Sequence, residues 1–308
     1  MSFVVAGHTG LVGSALFELL QERGETVVGL NTKVLDLLDR AATFEFIMDL
    51  KPEVVIDAAA IVGGIGANNL MPVDFLSKNL QIQSNLMDAS HKAGTERFVF
   101  LGSSCIYPRE CPQPIREEYL LTGPLEQTNS AYAIAKIAGI ELVKSYRKQY
   151  GYRWISLMPT NMYGPRDNFN LDNGHVLPAL INRFVTAARE KISLVTLWGS
   201  GSPRREFLHV NDLATATLLA LEKYDSDLHL NVGTGEDLSI RDLAEIIARE
   251  SGFDGTIDWD KTKPDGTPRK VLDISRLTSL GWQPEISLMD GISSTIDWFY
   301  ANSSKVRV

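Results

Sequence analysis

Phe3-Val4-Val5-Ala6-Gly7-His8-Thr9-Gly10-Leu11-Val12-Gly13 opens the chain as an apolar run broken by glycines, and an amphipathic pattern follows through Arg23. Four apolar residues in succession read as a short buried strand, and the pattern after Gly13 reads as a helix. Glycines at such a junction permit a tight turn, a close backbone approach to a pyrophosphate and close helix packing, while the helix N-terminus offers unpaired N–H groups. The stretch predicts a dinucleotide cradle with Gly7, Thr9, Gly10, Leu11, Val12 and Gly13 as contacts. Its spacing is GxxGxxG rather than GxGxxG, so its place between the first strand and the first helix carries the argument.

Working outward, Thr26-Val27-Val28-Gly29-Leu30 reads as a second strand, ending at Asn31-Thr32-Lys33. The acidic residue that an NAD-preferring site sets against the ribose hydroxyls is absent there. A neutral-to-basic tip tolerates the 2′-phosphate of NADP, with Asn31 and Lys33 as candidate contacts; the plain alternative makes Lys33 a solvated loop charge. Asp36-Leu37-Leu38-Asp39 leads into a helix, with Leu37 and Leu38 at the cofactor edge. Val54-Val55-Ile56-Asp57-Ala58-Ala59-Ala60 is a strand ending in small residues, Ala59 among them, against which a cofactor can lie. Gly63-Gly64-Ile65-Gly66-Ala67-Asn68-Asn69 reads as a flexible loop, either a substrate contact or a long turn.

Apolar runs at 98–101 and 154–158 alternate with helical patterns over about 75–93 and 131–150. Repeated β–α units imply an α/β architecture with a parallel, doubly wound sheet. The 308 residues, 44% hydrophobic and 22% charged, suffice for one large domain or two moderate ones. Thirty Lys and Arg against 38 Asp and Glu give a net charge of -8. That balance argues against nucleic-acid and anionic-membrane partners, and an anionic substrate then needs a local basic pocket. Cys105 and Cys111 are too few for a disulfide framework, no basic-then-apolar leader is seen, and no apolar run is long enough for a bilayer. A cytoplasmic setting is expected, with a Cys105–Cys111 disulfide as the alternative. No histidine cluster has metal-ligand spacing, so no metal is expected.

Gly102-Ser103-Ser104-Cys105-Ile106-Tyr107-Pro108 places two hydroxyls and a thiol at the carboxyl edge of the sheet, where open α/β folds bind ligands. Extended geometry past Gly102 would put Ser103 and Cys105 on one side and Ser104 on the other. The plain alternative is that small residues close a strand before a turn. Asn129-Ser130-Ala131-Tyr132-Ala133-Ile134-Ala135-Lys136 opens a helix in which Tyr132 and Lys136, four apart, share a face. A phenol of pKa about 10 is a poor acid or base near neutrality, and a nearby ammonium favours its ionised form. Reaching about 7 takes roughly 4 kcal/mol, expected from Lys136 with contributions from burial and a cationic nicotinamide.

Gly7-x-x-Gly10-x-x-Gly13, Ser103 and Tyr132-x-x-x-Lys136, in this order, resemble the extended short-chain dehydrogenase/reductases acting on nucleotide sugars. The stretch 101–108, Tyr132-Ala133-Ile134-Ala135-Lys136-Ile137-Ala138-Gly139 and Met158-Pro159-Thr160-Asn161-Met162-Tyr163-Gly164-Pro165 are similar to the GDP-L-fucose synthase family. So are 167–169, Gly174-His175-Val176-Leu177-Pro178-Ala179-Leu180, Arg205-Glu206-Phe207-Leu208-His209-Val210 and 263–270, almost end to end. The resemblance implies a Rossmann fold and conversion of GDP-4-keto-6-deoxy-D-mannose to GDP-L-fucose, by 3,5-epimerisation and NADPH-dependent reduction of the 4-ketone. It also implies a homodimer that pairs the helices near 75–93 and 131–150.

Under that resemblance Tyr132 gives a proton to the C4 oxygen, Ser103 hydrogen-bonds the same oxygen, and Lys136 tunes Tyr132 and holds the nicotinamide ribose. Epimerisation needs an acid and a base on different sides of the sugar; Cys105 and His175 can change protonation near neutral pH, and the resemblance assigns them that step. The bland readings are a buried filler for Cys105 and a helix-capping loop residue for His175. His8 and His209 are expected to be structural, and His91 and His229 have no supporting constellation. Pro159, Asn161, Met162 and His175 complete the cofactor set.

Ser103, Ser104 and Cys105 floor the substrate site, and Asn161 and Val176 line the sugar side. Arg183, Arg205 and Arg269 are candidates for the diphosphate or sugar hydroxyls, and surface ion pairs are the alternative. Trp198-Gly199-Ser200-Gly201 and Lys263-Pro264-Asp265-Gly266 read as loops shaping the nucleotide pocket, with Trp198, Lys263 and Asp265 as contacts. A dinucleotide domain is expected over 1–165, with about 205–232 returning to it. A smaller, sequence-interleaved substrate domain takes 166–204 and 233–308. Thr9 and Asn31 stand where the family often carries arginine, which weakens the grip on the NADP phosphate; Lys33 compensates, or NADH is better accepted. Other readings are an NAD(P)-dependent nucleotide-sugar epimerase or 4,6-dehydratase, and a redox-sensing dinucleotide binder without turnover.

Overall fold

Strand β1 (Ser2–Ala6) encloses Val4, Val5 and Ala6 completely, and the first half of the chain is built outward from it. The computed structural model describes residues 1–171, 174–263 and 265–302. After β1 come α1 (Leu11–Glu22), β2 (Thr26–Leu30), α2 (Arg40–Leu50), β3 (Val54–Asp57), α3 (Ile65–Leu70), α4 (Asn79–Ala93), β4 (Arg97–Leu101) and α5 (Ser130–Tyr150). Then follow β5 (Ile155–Pro159), β6 (Asn161–Tyr163), α6 (Val176–Glu190), β7 (Leu194–Trp198), β8 (Arg204–Arg205), β9 (Phe207–His209), α7 (Val210–Lys223) and β10 (Leu230–Val232). The last elements are β11 (Leu238–Ser239), α8 (Ile240–Glu250), β12 (Thr256–Asp260), β13 (Arg269–Lys270), α9 (Ser275–Ser279) and α10 (Leu288–Ala301).

Six parallel strands lie in the order β10-β5-β4-β3-β1-β2. Parallel neighbours need crossover connections, and the crossing helices bury both faces of the sheet. One face packs Val5, Leu101 and Leu157 with Leu16 of α1 and Leu213 of α7. The other packs Val4, Phe98 and Phe100 with Ile47 of α2, Leu86 of α4 and Val143 of α5. Strand order reverses between β1 and β3, so their carboxyl ends frame the crevice in which such sheets hold ligands.

A separate apolar cluster gathers Phe184 of α6, Leu243 and Ile247 of α8, Ile296 of α10, and Val195 and Leu197 of β7. Beside it β8 pairs with β11 antiparallel and with β13 parallel, setting Arg204 against Arg269 and Arg205 against Lys270. Asp237 ties this small sheet together. Its carboxylate accepts from Arg204 Nε at 2.6 Å and from Arg269 Nε.

Two local expectations change. The glycine-rich stretch 63–69 is not loop throughout: Asn68 donates to the carbonyls of Gly63 and Gly64, at 2.9 and 3.1 Å, and α3 forms there. Extended backbone also persists only through Ser103, at φ -160° and ψ 147°, and does not reach Cys105. Ser103 Oγ accepts from the Cys105 N–H at 3.2 Å and turns 104–106 into a single 3₁₀ turn, so alternation of side chains stops at Ser103. Pro264, in the quoted stretch 263–266, lies outside the described residues.

Candidate active site

Gly7 ends β1 at φ +79°, and a Cβ there would lie 2.7 Å from the Ala58 carbonyl oxygen after β3. A Cβ on Gly13 would lie 2.2 Å from the Gly7 carbonyl oxygen. Only glycine lets the loop fold this tightly between β1, β3 and α1. Gly10 then opens α1 with extended backbone and no side-chain cap. This geometry fits a dinucleotide pyrophosphate, since the backbone is bare at a helix N-terminus beside a switch point. Thr9 is exposed at the loop, and Leu11 and Val12 pack partly under it.

At the tip of β2, Asn31 Oδ1 accepts from the N–H groups of Lys33 and Val34, at 2.9 and 3.1 Å, and leaves Lys33 exposed. Leu37 is buried in the core and Leu38 packs against it, while Ala59 borders the crevice after β3. Pro159 ends β5 opposite Val232, and Asn161 donates to the Glu206 carbonyl at 2.8 Å. Met162 packs partly buried against the sheet core.

Tyr132 lies near enough to Ser103 for the Ser103 hydroxyl to ease the burial penalty on its ionisation. Lys136, 3% exposed, donates to the Leu101 carbonyl at 2.8 Å, and its Nζ stands 5.9 Å from the Tyr132 ring centroid. The helix face expected from the four-residue spacing is therefore formed. Tyr132 is not tuned downward, however. Burial raises its pKa, as does the neighbouring Cys105, while Ser103 opposes them. Burial penalises a phenolate, contrary to the sequence expectation, and Lys136 faces another charge. That charge is Asp57, which the sequence reading passed over as a strand residue. Desolvation lowers Lys136 to about 8 against the pull of Asp57, and raises Asp57 to about 6 against the pull of Lys136.

Cys105 and Cys111 are free thiols. The Cys105 sulfur receives Asn129 Nδ2 at 3.4 Å and Lys270 Nζ at 3.8 Å. Arg205 feels the same thiol, and desolvation lowers its own pKa. Neither Asn129 nor Lys270 was legible as a site residue: Asn129 reads as a helix start, and Lys270 reaches Cys105 only through the β8–β13 pairing. Ser104 is buried in the turn, as a structural residue would be. His175 is the N-cap residue of α6; much of its surface is open, yet surrounding protein lowers its pKa by desolvation. Val176 follows it, 38% exposed.

The second-half candidates divide. Arg205 donates to the carbonyls of Arg204 and Thr267, at 2.8 and 2.6 Å, beside Cys105. Arg269 is an ion-pair partner of Asp237, the alternative weighed for these arginines, and Arg183 donates to the Thr196 carbonyl at 3.2 Å. Trp198 is 74% exposed with Lys263 Nζ 5.5 Å from its ring centroid. Asp265 accepts from Ser200 N–H and Oγ, at 2.9 and 2.7 Å, so the two loops meet.

A family model described as the NAD dependent epimerase/dehydratase family matches residues 3–233. GDP-L-fucose synthase 1 of Arabidopsis thaliana is 54% identical over 97% of this chain and 93% of its own length. GDP-L-fucose synthase of Escherichia coli (strain K12) is 49% identical over 98% of both chains. The crystal structure of a GDP-L-fucose synthetase from Naegleria fowleri bound to NADP superposes with a TM-score of 0.93 at 30% identity, covering 100% of this chain and 95% of that one.

Proposed function

The chain belongs with the GDP-L-fucose synthases in the NAD-dependent epimerase/dehydratase family, and from that premise we propose how its residues divide an epimerase-reductase reaction. The enzyme is NADP-dependent and converts GDP-4-keto-6-deoxy-D-mannose to GDP-L-fucose. Gly7, Gly10 and Gly13 hold the pyrophosphate of the cofactor, Asn31 and Lys33 lie toward its 2′-phosphate, and Lys136 holds the nicotinamide ribose. NADPH supplies the hydride that reduces the C4 ketone.

Tyr132 gives its proton to the C4 oxygen. A phenol held protonated by burial is loaded for reduction at every pH near neutrality, which is the direction this enzyme runs. Ser103, beside Tyr132, steadies the same oxygen. Cys105 and His175 exchange protons at the carbons flanking the ketone, C3 and C5, which the carbonyl acidifies. Lys270 and Asn129 orient the Cys105 sulfur, and Arg205, on the neighbouring strand, meets the substrate's anionic or hydroxyl groups. Trp198, Lys263 and Asp265 shape the nucleotide end, and Arg183 and Val176 border it on α6.

The observation that carries this division is the junction at the β4 end. Ser103 stands beside the phenol there, while Cys105, two residues on and within the 3₁₀ turn, is met by Lys270 and Asn129. Two sets of groups thus serve one ketone from one strand end. The protein acts as a homodimer joined through α4 and α5, and its two free thiols suit the cytoplasm. Among the described residues no helix is long and apolar enough to cross a membrane.

Incubating the purified protein with GDP-4-keto-6-deoxy-D-mannose in heavy water tests the proposal. Deuterium enters beside the ketone without cofactor, and GDP-L-fucose forms once NADPH is added. Reduction without any exchange would refute the epimerase half.

A further inference from the structure

Asp57 closes β3 with a carboxyl group 1% exposed, in a strand whose other residues are valine and isoleucine. Its Oδ1 accepts from the Ala59 N–H at 3.2 Å, and its Oδ2 is enclosed without a hydrogen-bond partner. An enclosed carboxylate oxygen in that state is costly unless a charge compensates it. The sheet register sets Asp57 beside Phe100 on β4, so both side chains leave by the face that α4 and α5 cover. Lys136 enters from α5 over that same Phe100 ring, its Nζ 4.8 Å from the centroid. The neighbouring strand residue on the other side is Ala6, and α4 presents Asn79, Ile82 and Gln83 here, all uncharged. Lys136 is the charge that acts on Asp57, and Asp57 the charge that acts on Lys136.

We propose that Asp57 is a positioning residue for ketone reduction: its buried carboxylate keeps the Lys136 ammonium charged and aimed at the carboxyl edge, where it serves Tyr132 and the cofactor ribose. The inference rests on the reductase role given to Lys136 above. Burial opposes both charges, so the two coexist only in a limited window, between the step of Asp57 near 6 and that of Lys136 near 8. Lys136 is held by Leu101 on one side and by Asp57 through its field on the other, leaving its remaining hydrogens for a ligand.

The test compares the parent with Asp57→Asn, which keeps the shape and removes the charge. Reduction is followed as kcat against pH with NADPH, and epimerisation as deuterium exchange without cofactor. The alkaline limb of reduction is expected to move down by about one pH unit or more, so that turnover at pH 8 falls about fivefold or more, while exchange stays within about threefold of the parent. A merely structural role predicts a loss of equal size at all pH values and in both activities, and that result overturns the proposal, as does an unmoved limb. If Asp57→Asn fails to fold, Lys136→Met gives the reciprocal measurement. Its unpaired carboxyl shows an infrared protonated-carboxyl band at pH 7 that the parent lacks, and absence of that band refutes the pairing. Failure of the parent itself to reduce the ketone sinks the functional reading instead, whatever Asp57 does.

Discussion

Cys105 and Tyr132 stand within each other's electrostatic reach, yet they meet different partners. Ser103 acts on the Tyr132 phenol, and the Cys105 sulfur receives Asn129 and Lys270. The two activities therefore separate by single substitutions. Cys105→Ser is expected to lower deuterium exchange on the order of 10²–10⁴-fold while a pre-epimerised 4-ketone is still reduced. Tyr132→Phe is expected to do the reverse, with reduction falling by a similar on-the-order-of 10²–10⁴ factor and exchange retained. Stopped-flow NADPH absorbance and deuterium incorporation measure the two; parallel losses in either variant would refute the division. At this scale the sequence was readable where chemistry and spacing coincide, as in Tyr132 and Lys136 one turn apart. It misled where one hydrogen bond resets the backbone: the Ser103 side chain closes the turn over 104–106 and redirects Cys105, which no period of two reveals. Asp57 was hidden because a carboxylate ending an apolar strand looks like any strand terminus until Lys136 arrives from 79 positions later.

Helix α5 meets the sheet through Gly139, where a Cβ would fall 2.3 Å from Phe100 Cζ. Phe100 also lies under Lys136, so one close contact sets the height of the helix that carries both Tyr132 and Lys136. Gly139→Val is expected to cost about 1–3 kcal/mol by overpacking. It should also depress reduction more than it lowers the melting temperature would suggest, because α5 lifts with its two functional groups. Thermal unfolding alongside NADPH turnover checks this, and full activity at lowered stability would show the helix height to be irrelevant. The alternation of strands and helices was legible here because apolar runs of four or five residues punctuate longer amphipathic ones. The three two-residue strands β8, β11 and β13 were not, since such short pieces carry no period and exist only through pairing.

For the whole molecule, pH acts through buried histidines. His229 is 1% exposed, bonds the Tyr107 hydroxyl at 2.9 Å, and is lowered to about 4, chiefly by desolvation. Its folded pKa lies below the unfolded value of about 6.5, so the unfolded chain binds the proton first on acidification. Stability from this group is complete above about 6.5 and is lost as pH falls toward about 4, by up to about 3 kcal/mol. His229→Gln should flatten that part of the stability curve in urea unfolding at pH 7, 6 and 5. An unchanged slope would mean that His229 does not titrate differently on folding.

The Asp237 carboxylate, only 3% exposed and gripped by Arg204 and Arg269, joins pieces of chain more than sixty residues apart. Glu206 adds to the bond by accepting the Leu272 N–H at 3.0 Å, and Asp212 accepts the N–H groups of Glu285 and Ile286 at 3.2 and 3.0 Å. Covalent continuity through the exposed residues 261–263 is therefore expected to be dispensable once the protein has folded. Cleaved after Lys261, the protein should migrate as one body in native electrophoresis and as two bands in detergent. Expressed as 1–261 and 262–308, the two fragments should reassemble into active enzyme, and Asp237→Ala should prevent that reassembly while sparing the unbroken chain.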